Sequence, residues 1–456
     1  MMTSITNTPG GRVGHTVIRT QALKQLRVDG TRFPSEDEYA GPHAGGRPLK
    51  VCILAACPFP ANHGTPGSIR EMAEAIHELG HEVHIVTYHF GEDISVKGPH
   101  VHRIPPLTRE SAVMVGPTIR RPLYDLQMVS KTLEVIRRHN LDILHAHGYE
   151  AVIVAWICRM LTGLPVVYSG HNTMADELPS YHFIRPQWLA TVVAKALDAF
   201  VPRLADRCLP HSANIERFFH RGGLRERTEP LVPFGIDSSS IQGGDGVGVR
   251  QRYELGRDPV VLYAGVLDEF QRLDLLLQAL AEVAYLEPRV KLLVVTSIPC
   301  EKHSATVRRR AKELGVSDRV VLTDPQPFTA LRDFLAAGDV AVVPRPQAPG
   351  FPIKLLNYLA ARKPCLLFAS SASTGLVHRQ NALLVVPDTS KALAWGLLEL
   401  LGDDELRERL ARAGYEFVRV HHDRRLMAQR ICPVYWRILE GRGIPHLTPA
   451  EPWPRV

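Results

Sequence analysis

Three segments carry residue types whose spacing could do chemistry. In the first, the apolar run LKVCILAA (49–56) opens onto PFPANHGTPGSIRE, where Gly64 and Gly67 let a ligand approach the main chain. Thr65 and Pro66 suit a helix cap and first helical position, so free N–H groups there form an anion site at a strand's carboxyl end. The loop is neither G-x-G-x-x-G nor a Walker A motif, and an ordinary capped turn explains it equally well. In the second, LDILHAHG (141–148) puts His145 and His147 on one strand face, and His171 ends the next apolar run, PVVYSGH. No Asp, Glu or Cys stands at ligand spacing, which argues against a metal. His145 reads as a hydrogen-bonded structural histidine; His171 suits an active-site role or a buried one. Asp176 and Glu177, just downstream, can bond hydroxyls or cap a helix. The third is VVPRPQAPGFPIKLLNYLAARKP (342–364): a strand, a Pro/Gly loop, then a helix from near Ile353 with Lys354 in its first turn. A cation there opposes the helix dipole by a few tenths of a kcal/mol, a sign that a bound polyanion reverses. A solvated lysine is the alternative.

The elements that must position these residues alternate. Buried-type strands at 49–56, 82–88, 143–147, 165–171 and 207–213 are separated by helical patterns at 66–79, 123–139, 150–162 and 186–203, with another at 213–221. SSS and GGDGVGV give residues 237–250 the strongest loop signal of the ordered region, and a second set of strands opens at PVVLYAG (259–265). The fold class is therefore α/β with two doubly wound parallel-sheet domains. The organisation read from the chain is an extension over 1–48 with a short helix around Gln21 to Val28, a first domain over 49–236, a linker over 237–258, a second domain over 259–425, and a helix and Pro-rich tail over 426–456.

With 456 residues, a single core is unlikely to suffice, and 45% hydrophobic with 22% charged residues excludes a disordered or fibrous bulk. Lys plus Arg exceed Asp plus Glu by 54 to 47. That excess suits anionic partners but lacks the basic stripe with interleaved aromatics that nucleic acid needs. Seven cysteines without a C-x-x-C pair read as reduced thiols, and no run is long or apolar enough to span a bilayer, so the expected location is cytoplasmic, with contact at the membrane periphery allowed. The segment TIRRPLYDLQMVSKTLEVIRR (118–138) is basic and amphipathic, suited to an acidic membrane surface or to packing one face on the sheet.

Together these pieces resemble glycosyltransferase family 4, of GT-B fold. The resemblance is carried by VCILAACPFPANHGTPGSIREMAEAIHELGHEVHIVTY, LDILHAHG, GLPVVYSGHNTMADELP, ADRCLPHSANIERFF, LVPFGID, VVLYAGVLDEFQRLDLLLQAL and GFPIKLLNYLAARKPCLLF, in family order over roughly 49–430. It implies two Rossmann-like domains facing across a cleft, a nucleotide-sugar donor held mainly by the second domain, and transfer with retention to a glycan, lipid-linked or small-molecule acceptor. It implies no cofactor and no metal. It places Gly64, Gly67 and Gly265 near the donor diphosphate with Ile353, His171 beside the reacting sugar, Gly350, Phe351 and Asn357 near the sugar or ribose, and Asp176 and Glu177 toward the acceptor.

The sequence departs from the family pattern at four positions. The usual arginine and lysine after Gly265 are Val266 and Gln271, which leaves Arg272, Arg345 or Lys354 as candidates to supply the charge. The family's E-x7-E glutamates align with Pro349 and Asn357. These changes motivate an alternative, a catalytically inactive GT-B protein that binds a sugar nucleotide or a partner enzyme; a sugar-nucleotide epimerase of the same fold matches fewer segments.

Overall fold

The computed structural model describes residues 47–61, 64–106, 120–181, 184–298, 300–346, 351–372 and 375–442. The segment around Gln21 to Val28 and the Pro-rich end lie outside them. Strands β1 (Lys50–Ala55), β2 (Glu82–Thr87), β3 (His100–Arg103), β4 (Ile143–His147), β5 (Val166–Gly170) and β6 (Arg207–Pro210) form a parallel sheet in the order β3-β2-β1-β4-β5-β6. Strands β7 (Val260–Ala264), β8 (Lys291–Val295), β9 (Val320–Leu322), β10 (Val340–Val343), β11 (Cys365–Phe368) and β12 (Leu383–Val385) form a second, β12-β11-β10-β7-β8-β9. The strand order reverses between β1 and β4 and between β7 and β10, which opens a crevice at the carboxyl ends of each sheet. Continuous apolar runs form these strands because helices cover both faces: β1 and β7 are almost wholly buried.

Helix α1 (Gly64–Glu78) follows β1, α2 (Arg121–His139) precedes β4, and α3 (Tyr149–Thr162) follows it. In the second domain α4 (Leu273–Leu286) follows β7 and the short α5 (Lys354–Ala360) follows β10. Two local features differ from the sequence reading. Strand β3, HVHR, was not anticipated because an edge strand without an apolar run leaves no periodic signal. Within the segment read as linker, Gly246–Arg252 is helical: the Asp245 carboxylate accepts the Gly248 N–H at 2.9 Å, and a Cβ on Gly246 would lie 2.6 Å from the Ala336 carbonyl carbon. The glycines there serve close packing rather than looseness.

The last helix, α6 (Arg424–Glu440), returns to the first domain and packs on α1 and β1, with Met427, Ile431, Val434 and Tyr435 in one core with Val51, Ile53, Ile69 and Met72. Two chain segments therefore join the domains, and they hydrogen-bond to each other: Ile236 N–H donates to His422 O at 2.9 Å and Arg424 N–H to Ile236 O at 3.3 Å. Arg424 then reaches α1, pairing with Glu74 at 2.9 Å, Glu71 at 3.3 Å and Glu78. No helix of the described residues is long and apolar enough to cross a membrane.

Gly235 sits where the two crossing segments touch, and a Cβ there would lie 2.5 Å from the Arg424 Cα and 2.7 Å from the Asp423 carbonyl oxygen. Backbone cannot yield as a flexible side chain does, so Gly235→Ala should cost about 2 kcal/mol or more, read from urea denaturation.

Candidate functional site

A cleft of about 420 Å³ lies between the two sheets. From the first domain it is lined by Gly64 and Gly67 at the start of α1, by His171 after β5, and by Asp176 and Glu177. From the second it is lined by Gly265 after β7, by Arg345 after β10, and by Phe351, Ile353, Lys354 and Asn357 at and within the start of α5. The tertiary fold thus brings the three chemistry-bearing segments onto one cavity. Gly350 and Pro349 lie outside the described residues. Arg272 is a correction: its guanidinium is spent in a two-pronged pair with Asp274, at 2.9 Å for both contacts, and it does not line the cleft. It takes a left-handed conformation, φ 55°, capping α4, which turns its side chain toward that helix's first turn.

Lys354 is held on two sides. Its Nζ donates to the Tyr263 hydroxyl and to Gln271 Oε1, each at 2.7 Å, and lies 4.2 Å from the Tyr263 ring centre. Burial, reinforced by Arg345, brings its ammonium down to about 7. Arg345 packs its guanidinium 4.7 Å over the Phe270 ring, and burial lowers it to about 10. Gln271, standing where the family's lysine is expected, therefore receives the ammonium of Lys354 from α5.

Two tyrosines freeze the loop that admits this contact. Tyr358 on α5 donates to Ala264 O at 2.9 Å and accepts from Ala264 N–H at 2.7 Å, and the Tyr263 hydroxyl donates to Val266 O at 2.5 Å. Gly265 has φ 154°, and a Cβ on it would come within 2.8 Å of Lys354 Nζ. The position is glycine because the ammonium occupies the space a side chain would take.

On the opposite wall, ring nitrogens form a directional chain. The His211 Nδ1–H donates to Val232 O at 2.7 Å, which leaves Nε2 to accept from the Ser169 hydroxyl at 2.8 Å. Ser169 Oγ in turn accepts from His145 Nε2–H at 2.7 Å, and His145 Nδ1 accepts from the Tyr435 hydroxyl of α6 at 2.6 Å. Burial holds His211 at about 4 and His145 at about 3, so both rings are neutral and the polarity is fixed. His145 is structural. His147 Nδ1 lies 2.9 Å from His171 Nε2, and His147 Nε2 has no partner among the described residues. A buried bare acceptor costs less than a buried bare N–H, so His147 donates to His171 and His171 keeps its proton on Nδ1. Burial holds both rings well below the usual imidazole range, which makes His171 a hydrogen-bond donor rather than a base.

Asp176 accepts from the Thr173 hydroxyl in the four-residue turn Met174–Glu177 and faces the cleft; it does not cap the turn's N–H groups. The N–H groups of Met174 and Ala175 donate to Asp198 at 2.8 and 2.9 Å. Cys57, also on the lining, is pushed up to about 12 by burial and carries no thiolate at neutral pH.

Residues 64–240 match the family model "Glycosyltransferase Family 4", and residues 249–417 match "Glycosyl transferases group 1". The chain belongs to glycosyltransferase family 4. The transferase is 26% identical over 396 residues to a D-inositol 3-phosphate glycosyltransferase of Nocardia farcinica, covering 82% of this chain and 85% of that one. Its fold is shared by a sucrose-phosphate synthase from Thermosynechococcus elongatus, with TM-score 0.71, 19% identity, and coverage of 86% and 100%. It is shared also by Anabaena HepE in complex with UDP-glucose, with TM-score 0.67, 18% identity, and coverage of 85% and 100%. The architecture is GT-B, as the resemblance implied.

Sequence reasoning missed Tyr263, Tyr358 and Asp268 of the transferase. Both tyrosines sit in apolar runs that read as core, and Asp268, whose Oδ1 is buried without a partner among the described residues, stands in a loop without a motif. Because burial rather than a fixed charge governs His147 and His171, imidazole NMR should find neither ring titrating between about pH 5 and 8. Titration of His171 near its ordinary value would reassign it as a base.

Proposed function

We propose that the transferase holds the diphosphate of a nucleotide sugar between the turn at Gly64 and Gly67 and the cations Lys354 and Arg345. It then passes the sugar, with retained configuration, to a glycan, lipid-linked or small-molecule acceptor. The observation that carries this reading is the desolvated ammonium of Lys354, held by Tyr263 and Gln271 on the same cavity as Arg345 and the glycine turn. Two cations sharing a low-dielectric lining repel each other until a polyanion arrives, and the charge that grows on a departing diphosphate is then stabilised without reorganisation.

The bond between the sugar's anomeric carbon and the phosphate oxygen breaks as the acceptor oxygen bonds that carbon from the same face, and the acceptor's proton leaves with the phosphate. The His171 Nδ1–H steadies a sugar or acceptor hydroxyl, Asn357 bonds the ribose, Phe351 packs on the sugar side, and Asp176 with Glu177 faces the acceptor. Side-chain cations take the diphosphate role that a divalent ion serves in other transferases, so turnover should not depend on added Mg²⁺ or Mn²⁺. The first domain also exposes Leu126 on α2, Met160 on α3, and Trp188 and Phe200 on helix Gln187–Phe200, with Arg137 and Arg138 at the end of α2. These suit contact with an acidic membrane that presents the acceptor.

In a screen of nucleotide sugars and acceptors, Lys354→Ala should lower kcat/KM by about 10²-fold or more while the fold is retained. Wild-type-like turnover in both Lys354→Ala and His171→Ala would remove these assignments. The pH dependence has a definite sign. Lys354 must be protonated to hold the diphosphate, yet in the free enzyme it loses its proton near 7. Binding therefore takes up a proton, and affinity for a nucleotide sugar, whose diphosphate does not itself titrate near neutrality, should fall by up to about tenfold per pH unit above 7. Calorimetry in two buffers reads this directly, and Lys354→Arg should flatten the dependence.

A further inference from the structure

Outside the cleft, the first domain gathers imidazoles at the edge of its sheet. His84 on β2 is fully buried, while His102 on β3 and His139, the last residue of α2, are partly exposed. One ring nitrogen from each of the three lies within 4.8 Å of the other two. His84 Nδ1 and His102 Nε2 are 2.9 Å apart, and the His84 and His139 ring centres are 4.2 Å apart. None of the three lines the cleft, and the transfer reaction makes no use of them. We propose that His84, His102 and His139 form a binding site for one borderline-soft divalent transition-metal ion, zinc foremost.

The donor set fits that ion. Tetrahedral coordination with zinc–nitrogen bonds of about 2.0–2.1 Å places ligand nitrogens a little over 3 Å apart. The His84 and His102 nitrogens already have nearly that spacing, and His139 closes the set by side-chain rotation. Behind the first ring, Glu82 Oε1 lies 2.8 Å from His84 Nε2. That carboxylate takes the Nε2–H and leaves the Nδ1 lone pair facing inward, the orientation that a carboxylate behind a metal-bound histidine imposes. Without an ion, the two facing nitrogens can share only one proton. With an ion, all three lone pairs are used and the fourth position is left to water.

The neighbouring ammonium groups each have an acidic partner. Lys50 is spent on Glu82 at 3.5 Å and on the His139 carbonyl oxygen at 3.0 Å, while Lys131 is held by Glu134 at 3.0 Å. The ring of His100, exposed and stacked 5.1 Å from His84, covers the outer side. Three nitrogens without a cysteine favour zinc, nickel or copper over magnesium or calcium, which take oxygen ligands. The bound ion would tie edge strand β3, its neighbour β2 and the end of α2, elements otherwise joined at an edge strand with little core of its own.

The test uses the full chain, stripped with chelator and dialysed against zinc or cobalt. Elemental analysis should return one zinc per chain, and cobalt should develop the strong visible d–d absorption of a tetrahedral site. His102→Gln combined with His139→Gln, both partly exposed and so compatible with folding, should abolish the cobalt absorption and the retained zinc. Glu82→Gln should keep the spectrum but weaken affinity by about tenfold or more. Metal-free wild type and the double variant should melt at the same temperature, with added zinc raising only the former. No retained zinc in the wild type, or zinc and cobalt bound equally by the double variant, would overturn the site.

Discussion

The structure turns on a charge that is expensive to hold. Lys354 sits in a desolvated position beside another cation, Arg345, and keeps its place only because Tyr263 and Gln271 accept from its ammonium and the Tyr263 face lies beneath it. Most features of the second domain's half of the cleft follow from that placement. Gly265 is stripped of a side chain to make room, Tyr358 pins the end of β7 so that the room stays open, and Phe270 shields Arg345. In the proposed transfer, the diphosphate relieves the charge repulsion that is costly in the free protein, so the stabilisation its departure needs is in place beforehand.

Such a site is useful only if its two walls keep their distance, and the crossing segments provide that control. Phe234 stacks at 4.4 Å on His211 and 5.3 Å on His171 while its carbonyl accepts from His422 Nδ1 at 2.7 Å. The chain entering the second domain is thereby tied to the histidine wall on one side and to the chain leaving it on the other. Arg424 extends the tie to α1, the helix whose first turn carries Gly64 and Gly67, through three glutamates. Burial raises Glu71, which Arg70 on α1 and Arg424 from the crossing segment oppose together. A relative movement of the domains is therefore felt at once by the glycine turn, the histidine wall and the return of α6.

The parts legible in the sequence were those encoded locally. Apolar runs such as ILHAH and PVVLYAG specify buried parallel strands, and the helices between them follow from the 3.6-residue period, so the doubly wound class could be read without coordinates. Strand β3 and the helix at Gly246–Arg252 escaped because pairing and packing with distant residues, not their own pattern, hold them in place. The site divides the same way. His171, Lys354 and the glycine turn were legible as strand-end and helix-start positions, whereas Arg272 misled because its proximity in sequence to Gln271 says nothing of the left-handed turn that sends it to Asp274.

By itself the sequence determined the alternation of strands and helices, the two-sheet class and the short list of residues able to meet an anion, since each depends on side-chain chemistry within a few positions along the chain. Only the tertiary structure decided which of those residues share a cavity, which tautomer each buried histidine takes, and that Lys354 stands beside Gln271. Those outcomes depend on desolvation and on contacts between positions such as Tyr263 and Lys354 or His145 and Tyr435, 91 and 290 residues apart, a separation that local pattern does not bridge.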